Sequence, residues 1–272
     1  MGWLQAILLG MVQGLTEFLP VSSSGHLVLL QALFGFKEPD LFFDVSVHVG
    51  TLVAVCVFFF GDLRDIALAF FSKSTWSAGN MGRLHQWRQV PELRLLALIV
   101  IGSVPTAVLG LAFRPLAGHL FSSVRVVGVM LLVTGLLLWF TRPLQQKGRA
   151  ELTVWDALCV GVMQGLAILP GISRSGSTIA IGLFKGLDRE TAARYSFLLS
   201  IPAIVGAMAL ELVQARISGM PPLGPTLIGA CVAGAVGYMA LKTLIRFVKK
   251  GTLYTFAFYC WPLGGIVILC SL

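Results

Sequence analysis

The chain has 272 residues, of which 57% are hydrophobic and only 12% are charged. A soluble domain carries roughly a quarter of its residues as charged side chains, so this composition excludes an ordinary soluble domain and indicates long membrane segments. The net charge of +8 does not indicate nucleic-acid binding, because the basic residues lie in short connectors and not on one face with interleaved aromatics.

The cysteines and the N-terminus carry no functional signal. The five cysteines are scattered through apolar stretches without metal-ligand spacing, and we interpret them as small buried hydrophobic residues. The first basic residue is Lys37, so the charged start of a secretory signal peptide is missing and no cleavage is expected.

The N-terminal part consists of two apolar pieces, 3–19 and 22–35, separated by Pro20 and three serines. Each piece is shorter than the ~20 residues that a helix needs to cross the hydrocarbon. Proline followed by serines is typical of a helix end and a new helix start, which predicts a helix that enters, breaks near mid-depth and returns. Irregular backbone at that depth requires cover from protein or a water-filled cavity, so the break is a candidate site.

The rest of the chain predicts a second broken pair, at 153–170 and 173–186, and six full spans. The predicted fold is an all-α integral membrane protein, a single polytopic domain over 1–272 with two re-entrant helix-break-helix pairs. The six spans fit at 41–60, 94–113, 124–141, 191–213, 223–245 and 252–271.

The two broken pairs align without a gap at an offset of 151 residues, since 161 − 10 = 151. We therefore predict an internal repeat, with copies at about 1–113 and 153–245. The first copy carries Glu17 and His26, and the second carries Arg174 where the first has Ser23. The identical pairs are Gly10/Gly161, Gln13/Gln164, Gly14/Gly165, Leu15/Leu166, Ser22/Ser173, Ser24/Ser175 and Gly25/Gly176.

Connector charges predict the orientation. If the connector 61–93 is cytoplasmic, fifteen of the twenty Lys and Arg residues lie inside, and Arg174 remains at the second break. This asymmetry obeys the positive-inside rule and puts both termini outside. Three crossings separate the broken pairs, so they enter from opposite faces as an inverted repeat whose breaks meet near the midplane. The four residues outside are Lys37, Arg114, Arg125 and Arg216.

The two breaks together predict a phosphate cradle. Each returning half-helix would point its free N–H groups and its positive dipole end into the shared centre. An intramembrane arginine is costly and indicates function, and the guanidinium of Arg174 suits bidentate phosphate contact. The other candidate phosphate-binding residues are Ser22, Ser24, Gly25, Ser173, Ser175 and Gly176.

The reactive side chains around this cradle predict phosphoryl transfer. Glu17 lies just before the first break, and His26 lies about one turn into the returning helix. Ser23, Ser24 or a water would attack phosphorus, with His26 or Glu17 taking the proton. A divalent metal bridging Glu17 and a diphosphate fits this chemistry, although the spacing shows no all-protein metal cage.

Structural readings compete with this interpretation. Serines and glycines in membrane helices often serve close helix packing, and Glu17 with Arg174 could form a buried structural ion pair. Asp44 and His48 share one helix face, and they either line the site or face another helix.

The segments 17–26 and 170–178 closely resemble the two signatures of the undecaprenyl-diphosphate phosphatase family, also called the bacitracin-resistance protein family. The similarity in length and spacing extends over essentially the whole chain. It implies an enzyme of the bacterial inner membrane that converts undecaprenyl diphosphate to the monophosphate and so recycles the lipid carrier of peptidoglycan synthesis. It also implies a dependence on Mg²⁺ or Ca²⁺ and an active site that opens to the outer face.

The resemblance also implies residue roles. Glu17, Ser23, His26 and Arg174 match the family's functional residues, and Thr178 falls with Ser173 and Ser175 in its phosphate-contacting motif. Many members have glutamate where this chain has Gln13, so Gln13 is a metal-ligand candidate without the charge. The expected partners are a polyprenyl diphosphate and membrane lipids, and no nucleic acid. The sequence allows a homodimer without specifying one.

A transporter is the competing class, because inverted repeats with broken helices are also a transporter architecture. A polyprenyl-phosphate flippase would use the same cradle without cleaving its lipid. The set of serine, histidine and glutamate favours the enzyme, since transport alone does not require it.

Overall fold

The computed structural model describes residues 1–36, 40–72, 90–144, 148–218 and 223–271. Within these ranges the chain is helical, apart from short links and one isolated bridge between Arg149 and Leu187. The α-helices are α1 (Trp3–Phe18), α2 (Ser23–Leu33), α3 (Leu41–Phe58), α4 (Phe60–Phe71), α5 (Pro91–Phe113), α6 (Ala117–Ser122), α7 (Val124–Trp139), α8 (Val154–Leu166), α9 (Arg174–Phe184), α10 (Arg189–Ser218), α11 (Leu223–Lys250) and α12 (Ala257–Cys270). Short 3₁₀ turns, Arg114–Leu116 and Leu253–Phe256, precede α6 and α12.

Five helical stretches of the described chain are long and apolar enough to cross a membrane: Leu41–Phe58, Pro91–Ser122, Arg189–Arg216, Leu223–Lys250 and Leu253–Cys270. They correspond to five of the six predicted spans, so the prediction of an all-helical, multi-pass membrane protein is confirmed. The sixth prediction, 124–141, corresponds to α7, which has only 16 residues. At a rise of ~1.5 Å per residue this helix is about 24 Å long, less than the ~30 Å of hydrocarbon.

Both helix interruptions lie where the sequence predicts them. In the first copy α1 ends at Phe18 and α2 begins at Ser23, and in the second α8 ends at Leu166 and α9 begins at Arg174. Pro20 cannot continue the α1 hydrogen-bond pattern, and a serine then caps each returning helix. These interruptions bring non-helical backbone into the interior of the helix assembly.

Glycines let α1 and α8 pack backbone to backbone on their neighbours. A Cβ at Gly10 of α1 would collide with the carbonyl oxygen of Gly229 in α11, and one at Gly161 of α8 would collide with that of Gly102 in α5. Gly10 and Gly161 are an identical pair of the repeat, so both copies use the same small position for close approach. This packing fixes the position of each of these helices against its neighbour.

Several basic residues of two predicted connectors lie outside the described residues. Lys37 belongs to one of them, and Lys73, Arg83 and Arg88 belong to the other. Lys147, which contributes to the predicted cytoplasmic charge, also lies outside the described residues.

Candidate functional site

The backbone segments at the two helix breaks lie against each other. The hydroxyl of Ser22 accepts a hydrogen bond from the Gly171 N–H at 3.1 Å and donates to the Ile172 carbonyl at 3.4 Å. In the reciprocal direction, the Ser175 hydroxyl donates to the Phe18 carbonyl at 2.9 Å. Each break therefore supplies a side chain that satisfies backbone groups of the other break.

Glu17, which is 5% exposed, lies at the centre of this junction. Its Oε1 is paired with the Arg174 guanidinium, and its Oε2 accepts from the Ser23 hydroxyl at 2.6 Å and from Gln13 Nε2 at 2.9 Å. His48 Nε2 of α3 lies 3.3 Å from the same Oε2. The four partners come from α1, from α3 and from the first residues of α2 and α9, so the carboxylate joins both copies of the repeat.

Two buried polar atoms beside Glu17 have no hydrogen-bond partner among the described residues. One is Nη1 of Arg174, whose side chain is 16% exposed, and the other is Oε1 of Gln13. Leaving a buried polar group unpaired costs roughly 1–3 kcal/mol, and more when the group is charged. The site thus presents one free cationic donor and one free oxygen acceptor.

The returning helices present their N-terminal ends at the junction. The hydroxyls of Ser22 and Ser173 cap α2 and α9 by accepting from the N–H groups of Gly25 (3.2 Å) and Gly176 (3.1 Å). The preceding N–H groups of each helix have no partner within the helix, as at any helix start. Both ends therefore offer N–H donors and positive dipole ends to an anion.

Most hydroxyls of the predicted phosphate cradle are already bonded within the protein. Ser22, Ser173 and Ser175 hold caps or the opposite break, and the Thr178 hydroxyl donates to the Arg174 carbonyl at 2.7 Å. Ser24 is half-buried and contacts only the Ser22 hydroxyl, at 3.3 Å, among the described side chains. The structure therefore brings the predicted residues together, with Ser24 the least engaged of these hydroxyls.

The glycines of the cradle permit close approach of backbone. A Cβ at Gly25 would lie 3.2 Å from the Cα of Gly171, and one at Gly176 would lie 2.8 Å from Cβ of Pro20. A larger residue at either position would push the two breaks apart. These two glycines therefore allow close packing and also lie at the site.

His26 lies at the junction but faces a different helix from Glu17. Its Nδ1 is 2.7 Å from the Ser22 carbonyl, and its Nε2 is 2.8 Å from the hydroxyl of Tyr259 in α12. The His26 and Tyr259 rings are stacked, with centroids 5.8 Å apart and an interplanar angle of 11°.

Three further residues belong to the site. The sequence leaves open whether His48 lines the site or faces another helix. In the structure His48 contacts Glu17 and so lines the site. Thr134 of α7 donates to the Gly171 carbonyl at 2.9 Å and accepts from the Ser173 N–H at 3.0 Å, holding the second break. Tyr259 contacts His26. Neither Thr134 nor Tyr259 has a signal in the sequence, because each lies in an apolar helix outside the repeated segments.

The junction contains two candidate oxygen donors for a metal that is shared with a ligand. Within the described part of the chain, no group of three or more His, Cys, Asp and Glu side chains could hold a metal ion. Glu17 and the free Oε1 of Gln13 provide two oxygens, and Mg²⁺ commonly binds through one or two carboxylates together with substrate phosphates.

Comparison with known proteins covers nearly the whole chain. The family model described as bacitracin resistance protein BacA matches residues 6–266. A protein of Desulfosudis oleivorans, named undecaprenyl-diphosphatase, is 53% identical over 97% of both chains. Proteins of the same name from Desulfatibacillum aliphaticivorans and Methanosphaera stadtmanae are 49% and 42% identical, and the matches cover at least 98% of each chain. On this evidence the chain belongs to the BacA family of bacitracin resistance proteins.

Proposed function

We propose that this chain hydrolyses undecaprenyl diphosphate to undecaprenyl phosphate and inorganic phosphate at the junction of the two breaks. Family membership and the names of the relatives confirm the prediction of an enzyme, an undecaprenyl-diphosphate phosphatase. The location of the reaction and the roles of the residues are our proposal.

The observation that carries this site is the unpaired Nη1 of Arg174, a buried cationic donor that faces no acceptor within the described residues. A phosphate oxygen would satisfy it with a charge-assisted hydrogen bond, which is about twice as strong as a neutral one. The starts of α2 and α9 would bind further oxygens of the same group. A terminal phosphoryl group is small and highly charged, so its oxygens could bind Nη1 of Arg174 and the N–H groups at the starts of α2 and α9.

In the proposed first step Ser23 is the nucleophile. Its hydroxyl already donates to Glu17 Oε2 at 2.6 Å, so Glu17 is placed to accept the proton as the oxygen attacks the terminal phosphorus. The bond from that phosphorus to the bridging oxygen breaks, and undecaprenyl phosphate leaves. Ser24 has no carboxylate partner in the structure and is the weaker candidate.

In the second step a water attacks the phosphorus of the phosphoserine, the bond from phosphorus to Ser23 Oγ breaks, Glu17 returns the proton to that oxygen, and inorganic phosphate leaves. Arg174 and the helix N–H groups hold the negative charge that develops on the phosphoryl oxygens in both steps. His26 Nε2 is the second proton acceptor, because its other ring nitrogen is committed to the Ser22 carbonyl. These assignments use Glu17, Ser23, His26 and Arg174, the four residues that match the family's functional residues.

A divalent cation, Mg²⁺ or Ca²⁺, would be held by Glu17 and Gln13 together with phosphate oxygens. When bound it would neutralise part of the diphosphate charge. The amide nitrogen of Gln13 donates to Glu17, and its amide oxygen has no hydrogen-bond partner among the described residues.

We further propose the membrane arrangement. α1–α2 and α8–α9 are re-entrant pairs inserted from opposite faces of the bacterial inner membrane, with both termini outside and the site opening outward near mid-depth. α7 is the sixth crossing. Because it is short, it would tilt little or thin the bilayer locally. The charge asymmetry of the connectors and the contact between the two breaks support this arrangement.

Phosphate release from undecaprenyl diphosphate by the detergent-purified protein, with Mg²⁺ or Ca²⁺, tests the function. We expect release by the wild type and a loss of about 100- to 1000-fold in Arg174→Ala, as for other preorganised anion donors. Arg174→Ala also leaves Glu17 without its cation, so Arg174→Lys is measured beside it. The lysine keeps the charge but lacks the planar fork, and it should lose rate while remaining folded.

The matched control is Arg125→Ala, because Arg125 is exposed at the start of α7. Its rate should stay within about twofold of the wild type, as expected for an exposed site distant from the chemistry. Near-normal turnover in both Arg174 variants would refute the cradle. No release by the wild type, together with lipid movement across vesicles, would replace the enzyme by the flippase alternative.

A further inference from the structure

The last helix reaches the junction through two consecutive residues. Tyr259 places its hydroxyl 2.8 Å from His26 Nε2, and Cys260 donates from its buried thiol to the Pro20 carbonyl at 3.6 Å. Pro20 lies within the first break, and His26 lies in the first turn beyond its cap. The two contacts fix the position of α12 against both sides of the break.

The hydrogen bonds of His26 define which nitrogen can exchange a proton. The Ser22 carbonyl can only accept, so the hydrogen bond at Nδ1 requires a proton on that nitrogen. Nε2 is then the nitrogen that carries the free lone pair, and its partner is the Tyr259 hydroxyl. The phenol is also able to accept a hydrogen bond, so it fits both the neutral and the protonated imidazole.

Tyr259 lies at the border between the exposed and the buried face of α12. It is 47% exposed and Phe258 is 60% exposed, whereas Ala257 and Cys260 are fully buried. From this position its ring stacks beside the imidazole of His26 and its hydroxyl reaches Nε2.

We propose that Tyr259 is a positioning residue that holds the imidazole of His26 in place beside the first break, in the tautomer that carries its proton on Nδ1 and keeps Nε2 as the basic nitrogen. The stacked ring fixes the plane of the imidazole, and the hydroxyl fixes its rotation about the Cβ–Cγ bond. Among the described residues no other side chain contacts Nε2. This inference rests on the proposed function, in which His26 accepts a proton.

Tyr259→Phe tests the hydroxyl while keeping the stacked ring. We expect kcat to fall about tenfold, the effect of losing one ordinary hydrogen bond, with KM within about twofold. Tyr259→Leu removes the ring and the hydroxyl together, and its kcat should fall at least as far. The control Tyr254→Phe removes a phenol from the same end of the chain, where Tyr254 contacts Trp139 through its ring, and should keep both constants.

A second readout does not depend on turnover. The chain has four histidines, so selective ¹⁵N labelling gives four imidazole signals, and the His26→Gln spectrum identifies that of His26. In Tyr259→Phe we expect the Nε2 resonance of His26 to shift while the other three histidines stay in place.

Each outcome is decisive for Tyr259. An unchanged Nε2 resonance, or a normal kcat in Tyr259→Phe with a defect only in Tyr259→Leu, would reduce Tyr259 to packing and overturn the proposal. A wild type that releases no phosphate would instead refute the proposed function, and a shift of the His26 signal would still report the contact.

Discussion

Ser22 and Ser173 occupy equivalent positions in the repeat but have different backbone conformations. Ser22 lies at φ 68°, a left-handed conformation that is rare outside glycine, whereas Ser173 lies at φ −73°. The second break makes its left-handed turn at Gly171, with φ 102°. The equivalent position in the first copy is Pro20, whose ring fixes φ near −65°, so the turn is displaced to Ser22.

This difference predicts a stability effect at one serine only. Replacing either serine by alanine removes a cap, and glycine is the milder replacement at both positions. At Ser22, glycine should also relieve the left-handed conformation, which costs about 1 kcal/mol or more in other residues. The gain from alanine to glycine should therefore be about 1 kcal/mol larger at Ser22 than at Ser173.

The measurement is the unfolding free energy of the four variants in one detergent, compared within each position. Because both positions lose the same cap, Ser173 is the control for Ser22. Equal gains at the two serines would show that the left-handed conformation of Ser22 has no energetic cost.

For individual residues, the internal repeat is the sequence feature that predicts contacts. The alignment at an offset of 151 residues predicts that Glu17 and Arg174 come from different copies, and they are paired in the structure. It could not predict that Ser22 and Ser175 would use their hydroxyls on the opposite backbone, because such contacts depend on the docking of the copies. The contact of Tyr259 with His26 depends on tertiary packing in the same way.

The helices α1 and α8 depend on glycines for their position. A Cβ at Gly10 or Gly161 would meet the backbone oxygen of a neighbouring helix, which cannot move aside as a flexible side chain would. We predict that Gly10→Ala and Gly161→Ala each lower the unfolding free energy by about 1–3 kcal/mol, the range for overpacking. Thermal unfolding of the purified variants measures this loss.

Gly206 provides the control, because it lies inside α10 and no atom of the described residues would come within 4 Å of an added Cβ. Gly206→Ala should be neutral or stabilising by up to about 1 kcal/mol, since alanine favours the helix. If all three alanine variants behaved alike, close approach at Gly10 and Gly161 would have no part in stability.

Most helices could be predicted from composition and from proline and serine signals. The helix breaks and five long apolar stretches agree with the sequence to within a few residues. α7 was predicted too long, because Phe140 and Thr141 continue the apolar pattern while the helix already ends at Trp139. Hydrophobicity marks where a segment is buried, and it does not mark where the backbone hydrogen bonds stop.

The orientation of the whole molecule is tested by two arginines at opposite ends of α7. Arg125 is the second residue of this helix, and Arg142 lies just beyond its end, beside the rings of Trp139 and Tyr254. We expect an impermeant thiol reagent to label Arg125→Cys in spheroplasts and to label Arg142→Cys only after the membrane is opened. The positive-inside rule places the Arg125 end of α7 outside and the Arg142 end in the cytoplasm.

The variants require a background in which the five native cysteines are replaced, with serine at the buried Cys260 to keep its hydrogen bond to Pro20. The reverse labelling pattern would invert the proposed topology. Labelling of both thiols from one side would show that α7 does not cross the membrane.

The reciprocal bonds of Ser22 and Ser175 have a mechanical consequence. Ser22 and Ser175 each hydrogen-bond the backbone at the opposite break, so neither break can move aside alone without breaking these buried hydrogen bonds. In the proposed function, a long isoprenoid tail would enter by motion of the surrounding helices, while the two breaks stay together beside the head group.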